Sequence, residues 1–404
     1  MAVVALRNCA FVPDLVEGYA GAEGDLLFQD DRIVQIAPRG TVFEKVDREV
    51  DAGGMTALPG IIDGHIHLTA TRDMPMESCF VDPCTRTLEA LNFAQYLLGI
   101  GVTTVRDCGE DRDLSVIALK NAVENHLVEG PRILACGITL TPTDAGITPD
   151  SDFGYMLPYN VDSPAAMRYA ARRNIAKGAD FLKLYGSGSM MAKGGDPGQP
   201  IMADDEILEA VSVARQKKTY CAIHAHSNEA IRQALSCGVD TIEHASFIED
   251  DSLDILSGSD RRGIVPTMGI DISMLDSDPD TEYGMRVTQK VNPLMERMKR
   301  HLTHAYERGD ILIGWGTDAP VSTYRANPGM EFRMRREFLG WKSIDILKQA
   351  TINTAKLCRI ADRVGTLKVG KQADVILVPG DPVADISVMY AGASHVFKDG
   401  KQYK

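Results

Sequence analysis

The sequence predicts an α/β fold: a (β/α)8 TIM barrel with a small β-sandwich domain formed from both termini. Strand-like runs alternate with amphipathic stretches over about 300 residues, slightly more than such a barrel usually needs. Short alternating segments punctuated by glycine lie on either side of this region. An open doubly wound sheet is the structural competitor, but no glycine-rich dinucleotide turn follows the first strand-like run.

The two chain ends contain short, hairpin-like pieces that cannot bury a face alone. We expect residues 1–57 and 364–404 to pack together as the β-sandwich domain, and residues 58–363 to form the barrel. The pieces that predict this domain are Leu26–Gln29, Arg32–Ala37, Ala373–Val378 and His395–Lys398.

The barrel strands are assigned from apolar runs, and the helices from amphipathic stretches that end at glycine. Long polar loops rich in glycine and proline follow the third and fourth strands, at 138–162 and 186–202. Loops at this end of a barrel form substrate contacts. The eight predicted strands are 58–67, 101–107, 131–137, 180–185, 220–226, 239–244, 263–268 and 311–318, and the helices include 163–177, 203–217 and 228–237.

Composition excludes several classes of protein. The 404 residues are 44% hydrophobic and 25% charged, and the net charge of −13 comes from scattered acids, which argues against nucleic acid or anionic membrane as partners. No window offers the roughly 20 apolar residues of a membrane helix, and the first residues do not resemble a signal peptide. The eight cysteines have irregular spacing and no Cys-x-x-Cys. We therefore expect a cytoplasmic protein with reduced thiols. We also expect the protein to form a homo-oligomer.

A His-x-His pair ends the first predicted strand, Leu-Pro-Gly-Ile-Ile-Asp-Gly-His-Ile-His (58–67). Alternate side chains of a strand share a face, so two such imidazoles can bind one metal ion. Further candidate ligands stand at the ends of other predicted strands, and all of them would lie at the same end of one barrel. The full set is His65, His67, Lys183, His224, His244 and Asp318.

These motifs resemble the amidohydrolase superfamily of metal-dependent hydrolases, and within it the prolidase-like and imidazolonepropionase-related subgroup. The resemblance covers nearly the whole chain. Besides the first strand, it rests on Gly-Val-Thr-Thr-Val-Arg-Asp (101–107), Ala-Asp-Phe-Leu-Lys-Leu-Tyr (179–185), Ile-His-Ala-His (223–226), Thr-Ile-Glu-His-Ala-Ser (241–246), Gly-Thr-Asp-Ala-Pro (316–320), Ala-Thr-Ile-Asn-Thr-Ala-Lys-Leu (350–357) and Val-Gly-Thr-Leu-Lys-Val-Gly-Lys-Gln-Ala-Asp (364–374).

The resemblance implies two divalent metal ions. His65, His67 and Asp318 would hold the more buried ion, His224 and His244 would hold the other, and N6-carboxylated Lys183 would bridge them. A lysine ammonium has no lone pair, whereas a CO2-derived carbamate supplies two anionic oxygens that can span metals about 3.5–4 Å apart. Mixed imidazole and carboxylate donors suit Zn2+, and Mn, Co or Fe remain open.

The implied reaction is hydrolysis of an amide C–N bond in a small substrate that bears a carboxylate, a dipeptide such as Xaa-Pro or an N-acyl amino acid. A hydroxide held between the metals would attack the scissile carbonyl, and Asp318 would move its proton to the leaving amine. The competing interpretation makes Asp318 a ligand only. Three alternatives stay open: an imidazolonepropionase-like or deaminase-like hydrolase of cyclic amides or amidines at a single metal, a xenobiotic amide hydrolase, and a non-enzymatic scaffold, which six filled ligand positions argue against.

Candidate substrate contacts are His226, which shares a strand face with His224, together with Arg106, Arg325 and Lys193. An internal ion pair is the alternative interpretation of Arg106. The loop after the third strand reads Thr-Leu-Thr-Pro-Thr-Asp-Ala-Gly (139–146) and lacks the histidine that many prolidase-like relatives have there. The resemblance therefore extends to the metal site residue by residue, but not to the substrate pocket.

Overall fold

A computed structural model describes most of the chain. Two of the predicted loops, 138–162 and 186–202, fall partly outside the described residues, and Lys193 lies wholly outside them. The described residues are 3–71, 81–109, 113–143, 161–188, 197–275 and 291–404, with the single positions 278, 280, 281, 284, 285, 287 and 289.

Within these residues, eight strands run parallel in two groups, a three-stranded sheet and a five-stranded sheet. Neighbours pair in sequence order, as expected for strands joined by right-handed helical crossovers. The first sheet contains β6 (Ile61–Ile66), β7 (Val102–Asp107) and β8 (Arg132–Ala135), and the second contains β9 (Leu182–Tyr185), β10 (Cys221–Ser227), β11 (Thr241–Phe247), β12 (Gly263–Val265) and β13 (Leu312–Ile313).

Backbone hydrogen bonds connect the two sheets at both of their edges. On one side, Gly64 N donates to Trp315 O at 2.9 Å and Asp318 N donates to His65 O at 2.8 Å. On the other, Leu140 N donates to Lys183 O at 2.9 Å, next to an isolated parallel bridge. The first connection brings the end of β6 against the segment after β13, so residues from opposite ends of the chain become neighbours.

Helices follow most of the parallel strands, with start and stop signals that the sequence carries. Side-chain caps from Asp82, Ser163 and Ser227 accept a backbone N–H at three helix starts, and Gly101 and Gly238 adopt left-handed φ at two helix ends. The described helices are Pro83–Ile100, Ser115–Glu124, Pro164–Ala176, Asp204–Gln216, Asn228–Cys237, Asp250–Leu256, Gly269–Leu275, Asn292–Glu307, Val321–Ala326, Met330–Arg333, Ser343–Lys348 and Thr354–Leu357, with π-helical turns at Met334–Phe338 and Gln349–Asn353 and 3-10 turns at Pro13–Leu15 and Ile386–Met389.

The two chain ends build one sheet together. Strand β5 (Thr56–Pro59) pairs antiparallel with strand β14 (Val375–Val378), which joins the N-terminal strands to the C-terminal ones. The sheet curls, because Phe28 and Phe397 from strands that are not neighbours meet edge to face at 5.8 Å. Its strands are β1 (Val3–Phe11), β2 (Glu23–Gln29), β3 (Arg32–Ala37), β4 (Arg48–Asp51), β5 (Thr56–Pro59), β14 (Val375–Val378), β15 (His395–Lys398) and β16 (Lys401–Gln402).

The predicted first strand, 58–67, is wrong in one respect, since the structure divides it. Its first residues belong to β5 of the terminal sheet, and the parallel strand β6 begins at Ile61. Gly60 lies between them, where a Cβ would come within 2.1 Å of Thr103 Oγ1. The glycine therefore lets the chain pass closely from one sheet to the other, a transition that a continuous apolar run conceals.

The described helices include none that is long and apolar enough to cross a membrane. Among the cysteines that the structure describes, none forms a disulfide, and only Cys84 is exposed.

Candidate metal centre

The end of β6 presents both histidines of the His-x-His pair to Asp318. Asp318 Oδ1 lies 3.2 Å from His67 Nε2 and 3.7 Å from His65 Nε2. Gly64 makes this approach possible, because a Cβ there would come within 2.7 Å of Trp315 O. Asp318 itself has a left-handed φ of 54°, which turns its carboxylate toward the histidines. These three residues can hold one metal ion.

Three imidazoles from β10 and β11 form a second group of possible ligands. The ring of His224 lies 4.5 Å from that of His244 and 4.6 Å from that of His226. The two groups adjoin, with 4.9 Å between the ring centroids of His65 and His244. The structure therefore brings the predicted histidine ligands and Asp318 together, and places His226 as close to its neighbours as a ligand would be.

Lys183, on β9, lies close enough to residues of both groups to interact with them electrostatically. Its side chain is buried, with Nζ 5.8 Å from the centroid of the Tyr185 ring. Its charge acts on His65, His224 and Asp318 alike. In the described part of the chain, no carboxylate forms an ion pair with Nζ. An ammonium buried in this way is costly, and carboxylation would replace it with an anion that suits the metals.

The Nδ1 atoms of four histidines contact neighbouring oxygens, so Nε2 is the ring nitrogen of each that can act as a metal ligand. His65 Nδ1 lies 2.7 Å from Glu243 Oε2 and His67 Nδ1 lies 3.0 Å from Gly109 O. His244 and His226 use the hydroxyls of Thr267 at 2.7 Å and Ser246 at 2.8 Å. No pattern in the sequence indicates a role for Glu243, Thr267 or Ser246.

Arg106 requires a correction, because the structure leaves it unavailable to a substrate carboxylate. Its side chain is fully buried, and its Nη2 donates to both oxygens of Glu243 at 2.8 and 2.7 Å. Other bonds run to Gly64 O and to Thr241 Oγ1. This arrangement is the internal ion pair of the alternative interpretation. Arg106 forms an ion pair with Glu243, and Glu243 in turn contacts His65 Nδ1.

Arg325 lies apart from the histidines, contrary to its predicted role as a substrate contact. Its Nη2 donates to Asn92 Oδ1 at 2.6 Å, and its guanidinium lies 5.0 Å from the ring centroid of Tyr96. Both partners belong to helix Pro83–Ile100 on the outside of the parallel strands. Of the predicted substrate contacts that the structure describes, His226 alone stands at the centre.

Electrostatics keeps the donors in the protonation states that metal binding needs. Burial lowers the pKa of the His226 imidazole to about 3 and the pKa values of His224 and His244 well below their ordinary value. Burial would raise the pKa of Asp318, but the imidazoles of His65 and His67 outweigh it and lower that pKa. Neutral imidazoles and an ionised carboxylate are thus present at neutral pH.

One further observation supports the fit to a metal. His224 Nε2 is buried and has no hydrogen-bond partner. Burial removes the hydrogen bonds that this nitrogen would make to water, and only a bound ligand or ion can replace them. The donor set of imidazole nitrogens and carboxylate oxygens is also one that zinc and similar divalent ions prefer.

The fold and the donor set define an α/β protein with side chains that could hold metal at the carboxyl ends of its parallel strands. A model of the amidohydrolase family matches residues 56–403. The chain therefore belongs to the amidohydrolase family, whose reaction is the hydrolysis of amide bonds.

Individual relatives cover nearly the whole chain. The ochratoxinase of Aspergillus niger is 24% identical over 436 residues, covering 99% of this chain and 83% of the relative. The imidazolonepropionase of Desulfotalea psychrophila is 23% identical over 410 residues, covering 95% and 88%. A solved prolidase complexed with N-methylphosphonate-L-proline is 26% identical with a TM-score of 0.85, covering 99% of both chains. The resemblance to the prolidase-like and imidazolonepropionase-related subgroup is confirmed.

Glu243→Gln is expected to lower metal affinity by about 10- to 100-fold, the usual effect of removing the partner of a ligand histidine. The amide keeps the shape of Glu243 but weakens its hold on His65 Nδ1 and on the Arg106 guanidinium. Metal affinity is measured by competition with a chromophoric chelator, and the exposed Glu229→Gln serves as the control. Unchanged affinity in Glu243→Gln would show that this carboxylate does not orient the ligand.

Proposed function

We propose that this protein is a binuclear metal-dependent hydrolase that cleaves the amide C–N bond of a small substrate bearing a carboxylate, a dipeptide such as Xaa-Pro or an N-acyl amino acid. The observation that carries this proposal is the pair of adjoining donor groups, His65 with His67 and Asp318, and His224 with His244. Buried Lys183 interacts electrostatically with residues of both groups. The relatives support the same chemistry, since one of the solved structures is a prolidase.

The proposed architecture is a closed (β/α)8 barrel over residues 58–363 with a β-sandwich domain from residues 1–57 and 364–404. The backbone bonds from Asp318 to His65 and from Leu140 to Lys183 support closure, because they link the edges of both parallel sheets. The curl of the terminal sheet, seen in the contact of Phe28 with Phe397, supports the sandwich. The pairing of β5 with β14 supports extending the proposed small domain from residue 57 to Pro59.

The proposed centre assigns a task to each donor. His65, His67 and Asp318 would hold one divalent ion, most simply zinc, and His224 and His244 would hold the second, with carboxylated Lys183 between them. When bound, the ions supply Lewis acidity and make water more acidic. Asp318 is 17% exposed at its side chain and ionised, so it can accept a proton from the attacking water and deliver it to the leaving amine nitrogen.

His226 is the proposed contact for the substrate carboxylate. Its Nδ1 is bonded to Ser246 Oγ, and in the tautomer where that hydroxyl donates, Nε2–H is a donor facing the centre. The burial of Arg106 and its bonds to Glu243, and the contact of Arg325 with Asn92, support this choice over the two arginines.

One observation favours a second candidate, an imidazolonepropionase-like hydrolase with a single metal. His226 completes a group of three imidazoles with His224 and His244, and three protein ligands are enough for one catalytic ion. Metal analysis of the purified protein separates the two: about two equivalents per chain supports the binuclear centre, and about one supports the alternative.

The proposal is tested with a panel of dipeptides and N-acyl amino acids, using released amine as the readout and zinc-loaded protein as the enzyme. The substrate that is cleaved fastest is then compared with its C-terminal amide. We expect the neutral amide to have a kcat/KM at least about tenfold lower, because it cannot present an anion. Equal turnover of the acid and the amide would exclude carboxylate recognition and favour lactams or xenobiotic amides as substrates.

A further inference from the structure

Asp271 is a buried carboxylate beside the candidate metal centre. It lies in the first turn of helix Gly269–Leu275, after β12, and is 3% exposed. Ile270 N donates to Thr317 O at 3.0 Å, which fixes this turn against the residue before Asp318. Thr267, just upstream, contacts His244 through its hydroxyl. Asp271 therefore stands between the two segments that carry His244 and Asp318.

One oxygen of the Asp271 carboxyl group is not satisfied by the protein. Its Oδ2 is buried with no hydrogen-bond partner, and among the described residues no lysine, arginine or histidine forms an ion pair with Asp271. The donors of this turn are already used, because Met268 N and Gly269 N donate to Glu331 Oε2 at 3.0 and 2.7 Å. Glu331 also forms an ion pair with Arg335, with 2.6 Å between Glu331 Oε1 and Arg335 Nε. Of these two buried carboxylates, Glu331 therefore receives the available donors, whereas Asp271 Oδ2 receives none.

Such a group is unfavourable in the protein alone. Burial raises the pKa of Asp271 well above its ordinary value, and the charges of Glu331 and Asp318 raise it further. Buried polar groups without partners are rare in folded proteins, and those found in clefts are frequently completed by a ligand. What Asp271 lacks is a positively charged hydrogen-bond donor.

We propose that Asp271 binds the α-ammonium group of the substrate, so that the substrate class is a dipeptide with a free amino terminus and not an N-acyl amino acid. This inference rests on the proposed hydrolysis at the same centre. In a dipeptide the ammonium is one carbon away from the scissile carbonyl, so its acceptor must lie near the metal-binding donors. Asp271 lies close enough to Asp318 for their charges to interact, and the neighbouring Ile270 is bonded to Thr317. An N-acyl amino acid would place an apolar group against the unpaired carboxylate.

An ammonium fits this position better than a third metal ion. Among the described residues, the groups of side chains that can hold a metal do not include Asp271. A single carboxylate is a poor metal site, whereas one carboxylate and one ammonium form a complete charge-assisted hydrogen bond.

The test compares alanyl-proline with propionyl-proline, two compounds that differ only in the ammonium group. Wild-type protein should cleave alanyl-proline with a kcat/KM at least about tenfold higher, because a site built to bind a polar group discriminates strongly against its absence. In Asp271→Asn, kcat/KM for alanyl-proline should fall by about tenfold or more, while the value for propionyl-proline should change by less than about threefold. The preference for the free amine would thereby disappear.

Asp205→Asn is the matched control, since Asp205 is an exposed aspartate in the first turn of another helix. It should leave both substrates unchanged. Asp271→Asn should retain its metal content and should not lower Tm, because it removes a carboxylate that Glu331 and Asp318 repel. If Asp271→Asn does not fold, Asp271→Ser is compared with wild-type protein on the same two substrates. The preference of wild-type protein for alanyl-proline over propionyl-proline is measured in either case.

The outcomes separate this inference from the proposed function. Equal cleavage of the two compounds by wild-type protein, or an equal loss on both in Asp271→Asn, overturns the ammonium site while hydrolysis stands. If wild-type protein cleaves neither compound and no member of the panel, the proposed function has failed, and calorimetric titration of both compounds into the purified protein still tests the ammonium site. Equal affinities, or no binding of alanyl-proline, would overturn it.

Discussion

Lys183→Ala is expected to be inactive and poor in metal, and added formate or acetate should restore part of both. Lys183 is buried and interacts with residues of both donor groups, so its truncation leaves space there that a small carboxylate can fill. A carboxylate supplies the same two oxygens as a lysine carbamate, so rescue reports on the bridge itself. Metal content and amide hydrolysis are measured with and without the added acid.

The exposed Lys217→Ala is the control for this experiment and should behave as wild type. Lys183→Arg should also be inactive, because a guanidinium keeps the charge but does not form a carbamate under these conditions. Full metal occupancy in Lys183→Ala without added acid would contradict a bridging role for this lysine.

Asp318→Asn should keep a large part of its metal and lose several orders of magnitude in kcat. The amide oxygen can still lie near His67 Nε2, where the carboxylate oxygen lies at 3.2 Å, but the amide group cannot accept and return a proton. Metal content and steady-state kinetics are measured on the same preparation, with the exposed Asp254→Asn as the control. A fall in kcat of less than about tenfold would move proton transfer to another residue, with His226 the first candidate.

The ligand positions could be predicted from the sequence because the ends of parallel strands meet at one edge. His65, His224 and Lys183 each end an apolar run, and side-chain alternation puts each on the inner face. Their partners come from strands far away in the chain, so the prediction depended on the order of the strands and not on any detail of the loops.

The contacts behind the ligands could not be predicted in this way. Glu243 and His244 are adjacent, and regular alternation would send them to opposite faces of β11. The structure has left-handed φ values of 68° at His244 and 53° at Ala245, which break the alternation and let Glu243 reach His65 while His244 faces Asp318. A pair such as Arg106 and Glu243, 137 residues apart, leaves no local pattern in one sequence.

The positions of side chains in loops and short helical turns could not be predicted from the sequence either. Arg325 was assigned to the substrate because it follows the last strand, but the aromatic face of Tyr96 and the amide of Asn92 hold it on the outer side. Asp271 was overlooked because a single aspartate in a helical turn is usually solvated. Its burial comes from packing against Thr317 and Glu331, which only the tertiary structure brings together.

The pairing of β5 with β14 constrains how this chain can fold during its synthesis. Thr56 Oγ1 donates to Gly380 O across 324 residues, and strands β1 to β5 share their sheet with strands that follow more than 300 residues later. Strand β5 therefore cannot complete its backbone bonds until β14 has been synthesised. Contacts of such high sequence separation slow folding, and the nascent chain carries an open strand edge while the residues between these strands are translated.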